Sequence, residues 1–164
     1  MQTQTKEFWK LFKPLACSID LKAQTQREIF DELVANLVTG RVLPKEMSDP
    51  AVDALIEREK LASTGVGMTV AIPHVMLKGI DRAAVSLSVH RGGVNWRALD
   101  GEDVHLFFTV LRPEKPGEHH DPDRHLSMMR WVSQLSRDGD FRRFAMNVKN
   151  RTELVDLLKE MSAG

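Results

Sequence analysis

Residues 104–111 read VHLFFTVL, a run in which only His105 and Thr109 are polar. A strand with one wet face would alternate polar and apolar positions. A nearly continuous apolar strand is one covered on both faces, so it predicts helices above and below a sheet. Working backwards, residues 85–90 (VSLSVH) alternate, the mark of a half-buried strand, and Gly92-Gly93 should end it. Val70 to Ile72 is short and β-prone. Before it, Ile29, Leu33 and Leu37 recur on one helical face between Thr25 and Gly40, with Thr25 and Glu28 as a capping box and Gly40 as the C-terminal cap. A second helix should start at Ser48-Asp49-Pro50 and carry Val52, Leu55 and Ile56 on towards Leu61.

Helical spacing returns after Asp123, with Leu126, Met129, Val132 and Leu135 on one side. A helix over Phe141–Val148 follows, and Thr152 is placed to cap a last one bearing Leu154, Leu157 and Leu158. Residues 7–16 (EFWKLFKPLA) are apolar enough to dock, although Pro14 interrupts any long helix. Helices, then strands, then helices imply an α/β fold: a three-layer-like α/β sandwich with a mixed central β-sheet flanked by helices.

Bulk properties fit one domain spanning residues 1–164. Apolar residues make up 42% and charged residues 28%, and 23 basic residues balance 23 acidic ones. No global field therefore recruits nucleic acid or an anionic membrane. The single cysteine, Cys17, excludes an internal disulfide and a multi-cysteine zinc site. No apolar run approaches the ~20 residues of a membrane span, and MQTQTKEF is not a secretion signal, so a cytoplasmic location is expected.

Residues 63–74, STGVGMTVAIPH, bring an imidazole to the end of the short strand. Proline lacks an N–H, so Pro73 is expected to end pairing and present His74 at a sheet end, where α/β folds commonly place their sites. Imidazole is nucleophilic and close to neutral at cell pH, so it can attack a phosphoryl group, hold it on nitrogen and release it. Such transfer depends mainly on positioning and charge neutralisation. Ser63, Thr64, Gly65 and Gly67 form a small, hydroxyl-rich turn whose N–H groups could face an anion. Arg58 lies just upstream, and guanidinium suits phosphate oxygens. On spacing alone, a histidine after proline is more often an ordinary loop residue.

The string from Arg58-Glu59 through Ser63-Thr64-Gly65-Val66-Gly67 to Val70-Ala71-Ile72-Pro73-His74 resembles the active-site signature of the fructose/mannitol-type enzyme IIA domains. These belong to the bacterial phosphoenolpyruvate-dependent sugar phosphotransferase system and include stand-alone nitrogen-regulatory members. CSIDLKAQTQREIFDELVANL (17–37) is similar to the family's opening strand and first helix, ALDGEDVHLFFTVLRP (98–113) to its D-x-x-x-V-x-L-x-F segment, and RHLSMMRWVSQLSRD (124–138) to a helix opening with His-Leu. The resemblance covers roughly residues 15–160. It implies that His74 is the phosphorylated histidine, His125 the second active-site histidine and Arg58 an arginine beside them. It implies an HPr-like phosphocarrier as donor, and a IIB domain or regulatory protein targets as acceptors. No cofactor is expected. Two positions depart from the pattern: Thr69 stands where glycine is usual, and Val75 where a small residue follows the histidine, both adding bulk close to the ring.

His90 and His105, within strands, read as structural or surface groups. The cluster His119, His120, Asp121, Asp123 and His125 could be read as a zinc site, but it has no established metal spacing; the preferred reading is a polar loop that delivers His125 at a helix start, where an N-terminus favours phosphate. Met68, Met76, Met128 and Met129 could form an adaptable docking surface. No Walker-type loop or Gly-x-Ser-x-Gly elbow appears, so the phosphate should arrive on another protein.

Overall fold

The computed structural model describes residues 7–163. Among them lie five strands, β1 (Gly65–Gly67), β2 (Val70–Ala71), β3 (His74–Leu77), β4 (Ala84–Val94) and β5 (Val104–Pro113). Five α-helices accompany them: α1 (Gln26–Thr39), α2 (Ser48–Leu61), α3 (Pro122–Arg137), α4 (Gly139–Ala145) and α5 (Arg151–Ala163).

The strand read from VHLFFTVL is the hub. One edge of β5 pairs antiparallel with β4. The other carries β2 and β3 end to end, both parallel to it, with Val70 opposite Leu106 and His74 opposite Val110. β1 folds back antiparallel on β2. Strand alternation then sorts side chains into two layers. Leu106, Phe108 and Val110 join a core with Phe12, Trp131, Phe141 and Leu154. Phe107 and Leu111 join a core with Phe30, Leu33, Leu55 and Trp96. Helices α3 to α5 thus cover one face and α1 with α2 the other, a three-layer α/β sandwich on a mixed sheet.

Several local expectations are corrected. β4 is not half-wet: Val85, Leu87 and Val89 fill the first core, and Ser86 and Ser88 are fully buried on the other face. Their small side chains, with Thr109 opposite Ser86, meet the α1 layer without protruding into it. Gly92-Gly93 does not stop the strand, which continues to Val94 through a bulge with Gly93 at φ +83°. His90 holds that bulge. Its Nδ1 accepts from Gly93 N–H at 2.9 Å, so Nε2 carries the proton that it donates to Ala23 O at 2.8 Å. His105 Nδ1 donates to His90 O in turn. Both histidines are therefore structural.

Helix ends differ as well. Thr25 does cap α1, its hydroxyl accepting from Glu28 N–H, but Ser48 lies inside α2 and donates its hydroxyl to Lys45 O. Thr152 lies inside α5; Asn150 Oδ1 accepts from Glu153 N–H, while Glu153 Oε2 accepts from Lys149 N–H. α4 ends at Ala145, short of Val148. Residues 8–16 dock as two 3₁₀ turns on either side of Phe12-Lys13, and the rings of Phe8 and Phe12 each lie tilted against Trp131, centroids 5.8 Å apart.

Gly40 caps α1 at φ −77°, so its left-handed freedom is not used. It is required by contact instead: a Cβ there would lie 2.5–2.7 Å from the Cβ, N and Cα of Ala16. Overpacking of that kind costs about 1–3 kcal/mol. Gly40→Ala is accordingly expected to lower the urea midpoint, despite alanine being the better helix former. An unchanged midpoint would show that the end of α1 yields.

Candidate functional site

Pairing does not end at Pro73. Its carbonyl accepts from Val110 N–H at 2.9 Å, and β3 resumes at His74. β2 and β3 are one edge strand broken at Ile72-Pro73, so His74 sits midway along β5 rather than at the sheet end. Val75 and Leu77 point into the α1–α2 core. His74 and Met76 therefore face the α3 side. The Ile72 peptide groups face away from β5, its N–H going to Thr64 O, and its carbonyl is met by His74 Nδ1 at 2.6 Å. A carbonyl only accepts, so Nδ1 carries the proton and Nε2 keeps its lone pair.

His125 comes from α3. Asp121 caps that helix by accepting from Asp123 N–H at 3.0 Å, and Pro122 begins it. His125 N–H then closes the first turn on Asp121 O. Half-buried, His125 is held down to about pKa 4, first by burial and then by His120, Arg112 and His74. The ring is neutral at pH 7.

Arg112 was not singled out from the sequence. Alternation along VHLFFTVLRP places it, with Val110 and Phe108, on the His74 face, opposite Met76 in the register. That signal was present in the strand's period. Its guanidinium is exposed, and Nη1 donates to Pro113 O at 3.3 Å.

Arg58 takes a different place. It belongs to α2, which packs on the far face of the sheet through Ala51, Val52 and Leu55, and its Nη1 donates to Ala62 O at 2.8 Å. No hydrogen bond joins it to either imidazole among the described residues. The expected N–H cradle is also largely committed. Thr64 gives both N–H and hydroxyl to the Glu59 carboxylate, at 2.9 and 2.6 Å, and accepts from buried Trp96 Nε1 at 3.2 Å. Gly65 N–H goes to Ser63 Oγ at 3.0 Å. These residues shape the loop, and a carboxylate stands where an anion would need donors.

Gly67, at φ +88°, leads into a two-residue hairpin turn, Met68-Thr69, with both φ values positive at 56° and 68°. That is the type I′ geometry which favours Asn-Gly. Thr69 is β-branched in a region such residues avoid. Asp100 Oδ2 accepts from Met68 N–H, while Thr69 O accepts from His105 and Leu106 N–H. The N–H of Glu102, and then that of Met68, hold the Asp100 carboxyl below its usual range. Val75 turns its bulk into the core, away from the ring. Met68, Met76 and Leu126 are exposed, whereas Met128 is buried in the core and Met129 packs against it. Among the described residues, no group of three or more His, Cys, Asp or Glu could hold a metal ion. Among the described residues, no helix is long and apolar enough to cross a membrane.

Two outcomes follow from this geometry. Thr69→Gly removes left-handed strain of about 1–2 kcal/mol, partly offset by glycine's unfolded-state freedom, so a net gain of about 1 kcal/mol in urea unfolding is expected. No gain would mean that the turn is unstrained. Between pH 6.5 and about 4 the unfolded chain binds a proton at His125 that the folded chain refuses, so stability drops as pH falls through that window. His125→Asn should flatten the decline between pH 6.5 and about 5; an identical slope would mean the folded ring is charged.

The sequence model described as "Phosphoenolpyruvate-dependent sugar phosphotransferase system, EIIA 2" matches residues 10–161. A nitrogen regulatory protein of Pseudomonas aeruginosa is 33% identical over 81% of this chain and 82% of its own length. A PTS system fructose-specific EIIA component of Haloferax volcanii is 30% identical over 69% of this chain and 70% of its own. The crystal structure of nitrogen regulatory protein IIA-Ntr from Neisseria meningitidis superimposes with a TM-score of 0.78 at 26% identity, covering 92% of this chain and 97% of that one. With a match along nearly its whole length, the chain belongs to the EIIA 2 family of the phosphoenolpyruvate-dependent sugar phosphotransferase system.

Proposed function

We propose that this chain is a phosphohistidine carrier in which Nε2 of His74 takes up a phosphoryl group. The observation that supports it is the 2.6 Å bond from His74 Nδ1 to Ile72 O, which leaves Nε2 as the nucleophilic nitrogen. The Nε2 lone pair attacks phosphorus on the donor's phosphohistidine. The new N–P bond forms as the donor's N–P bond breaks, and the donor imidazole leaves with the electron pair. His74 gains positive character without losing its Nδ1 proton, and the bond to the Ile72 carbonyl strengthens to meet it. The neutral His125 ring can orient or donate to phosphoryl oxygens without preloading the site with charge. Exposed Arg112 supplies the cation.

The donor of this reading is an HPr-like phosphocarrier, and the acceptor a IIB domain. Arg58, Ser63, Thr64, Gly65 and Gly67 contribute by fixing the loop and the end of α2 rather than by touching the phosphoryl group. A second reading, in which the phosphate is held as a signal that controls docking to protein targets, is favoured by the broad match to a nitrogen regulatory protein.

With phosphoenolpyruvate and donor proteins supplied, acid-labile phosphate should appear on this chain, with 31P–15N coupling assigned to Nε2 of His74. His74→Ala should abolish it. Labelling of that variant at the wild-type level would overturn the proposal. Chasing the labelled protein with a IIB domain separates the two readings: loss of label means relay, and retention means signal.

A further inference from the structure

Glu59 follows Arg58 in the last turn of α2, with its carboxylate turned to Thr64. We propose that Glu59 is a positioning residue for His74, acting through Thr64 and the main chain of Ile72. The role rests on the carrier reading, in which Nε2 of His74 must keep the free lone pair.

The donors fix the direction of every link. Thr64 is 3% exposed and uses each of its polar groups inside the protein. Its N–H donates to Glu59 Oε2 at 2.9 Å, and its hydroxyl donates to Oε1 at 2.6 Å. The buried indole of Trp96 can only donate, and Nε1 does so to Thr64 Oγ1 at 3.2 Å. That bond turns the hydroxyl proton towards Glu59, so both carboxylate oxygens accept, as an ionised carboxylate does. The neighbouring cations do not compete: Lys60 pairs with Glu57, and Arg58 donates to Ala62 O. Thr64 O accepts from Ile72 N–H at 2.9 Å, and Ile72 O meets His74 Nδ1 at 2.6 Å. One unbroken path of hydrogen bonds thus runs from the end of α2 to the imidazole.

The hairpin alone is a weak support for that ring. β1 has three residues, two of them glycine, and its register on β2 shifts between Gly65 and Gly67. β2 itself spans only Val70 and Ala71. Ile72 turns its N–H and carbonyl away from β5, so the outer side must orient them, and Thr64 is what meets them there. Thr64 in turn is tied to a helix seated in the core by Val52 and Leu55. A carbonyl that tilts loses its hold on Nδ1. The imidazole then divides its proton between two nitrogens, and fewer molecules present Nε2 as a nucleophile. The path works by geometry and moves no proton, because the N–H and C=O of Thr64, and again of Ile72, belong to different peptide groups.

The test reads the ring directly. In alkaline buffer, where free imidazole is neutral, 1H–15N NMR of unphosphorylated protein should show His74 protonated on Nδ1 alone. Glu59→Ala should move both His74 nitrogen signals towards a mixture of tautomers and slow phosphoryl uptake about tenfold. Glu59→Gln keeps an oxygen for Thr64 N–H and should recover most of both. His90, bonded within the β4 bulge, should stay unmoved and report an intact fold. If Glu59→Ala does not fold, Thr64→Val, which removes only the hydroxyl link, should give the same shift in smaller measure. A His74 spectrum and uptake rate equal to wild type in the folded variant, or no recovery by Glu59→Gln, would overturn the proposal. Failure of the carrier reading is distinguishable: label surviving in His74→Ala sinks the carrier, and the tautomer measurement does not depend on it.

Discussion

β5 is enclosed on every side, and that enclosure is the constraint from which the rest follows. Its two faces meet different helix layers, one edge is filled by β4, and the other must be filled by β2 and β3 in succession. β2 and β3 keep one register on β5 across Ile72-Pro73, so alternate peptide groups of this edge face outward. Ile72 is such a position: its N–H goes to Thr64 O, and its carbonyl is met by the ring of His74. The reactive geometry is therefore a product of sheet construction, and it is rigid for the same reason that the core is rigid.

Charge around the two rings is arranged by burial and distance more than by ion pairs. His125 is half-buried near cationic groups, so protonating it would add charge to a site already rich in it. In the proposed transfer, a neutral ring there leaves attraction for an incoming anion to Arg112. Cys17 shows the same principle in the core, where burial pushes its thiol up to about 11 and keeps it inert.

Much of this was legible in the sequence, and the failures share a cause. The apolar run of β5 and the periods of α1 and α3 announced the three layers, because burial imposes periodicity directly on residue type, and the Pro-His pair marked the candidate site. The serines of β4 misled because polarity was equated with exposure: Ser86 and Ser88 are buried for their size. Gly40 does cap α1, but what demands glycine there is contact with Ala16, which local spacing does not show. Arg58 and Thr64 fit a motif, but their donors go to Ala62 O and to Glu59. Motif spacing does not show which face of a sheet a helix will occupy or which internal acceptor will claim a donor. Arg112 is the counter-example, since strand alternation alone would have placed it.

The acceptor that fixes the tautomer of His74 is main chain rather than side chain. No substitution at position 72 deletes it, so sequence drift there can alter packing without releasing the ring. Orientation of the imidazole is thus inherited from the path of the polypeptide, and side chains around it are free to diversify without disturbing which nitrogen carries the proton.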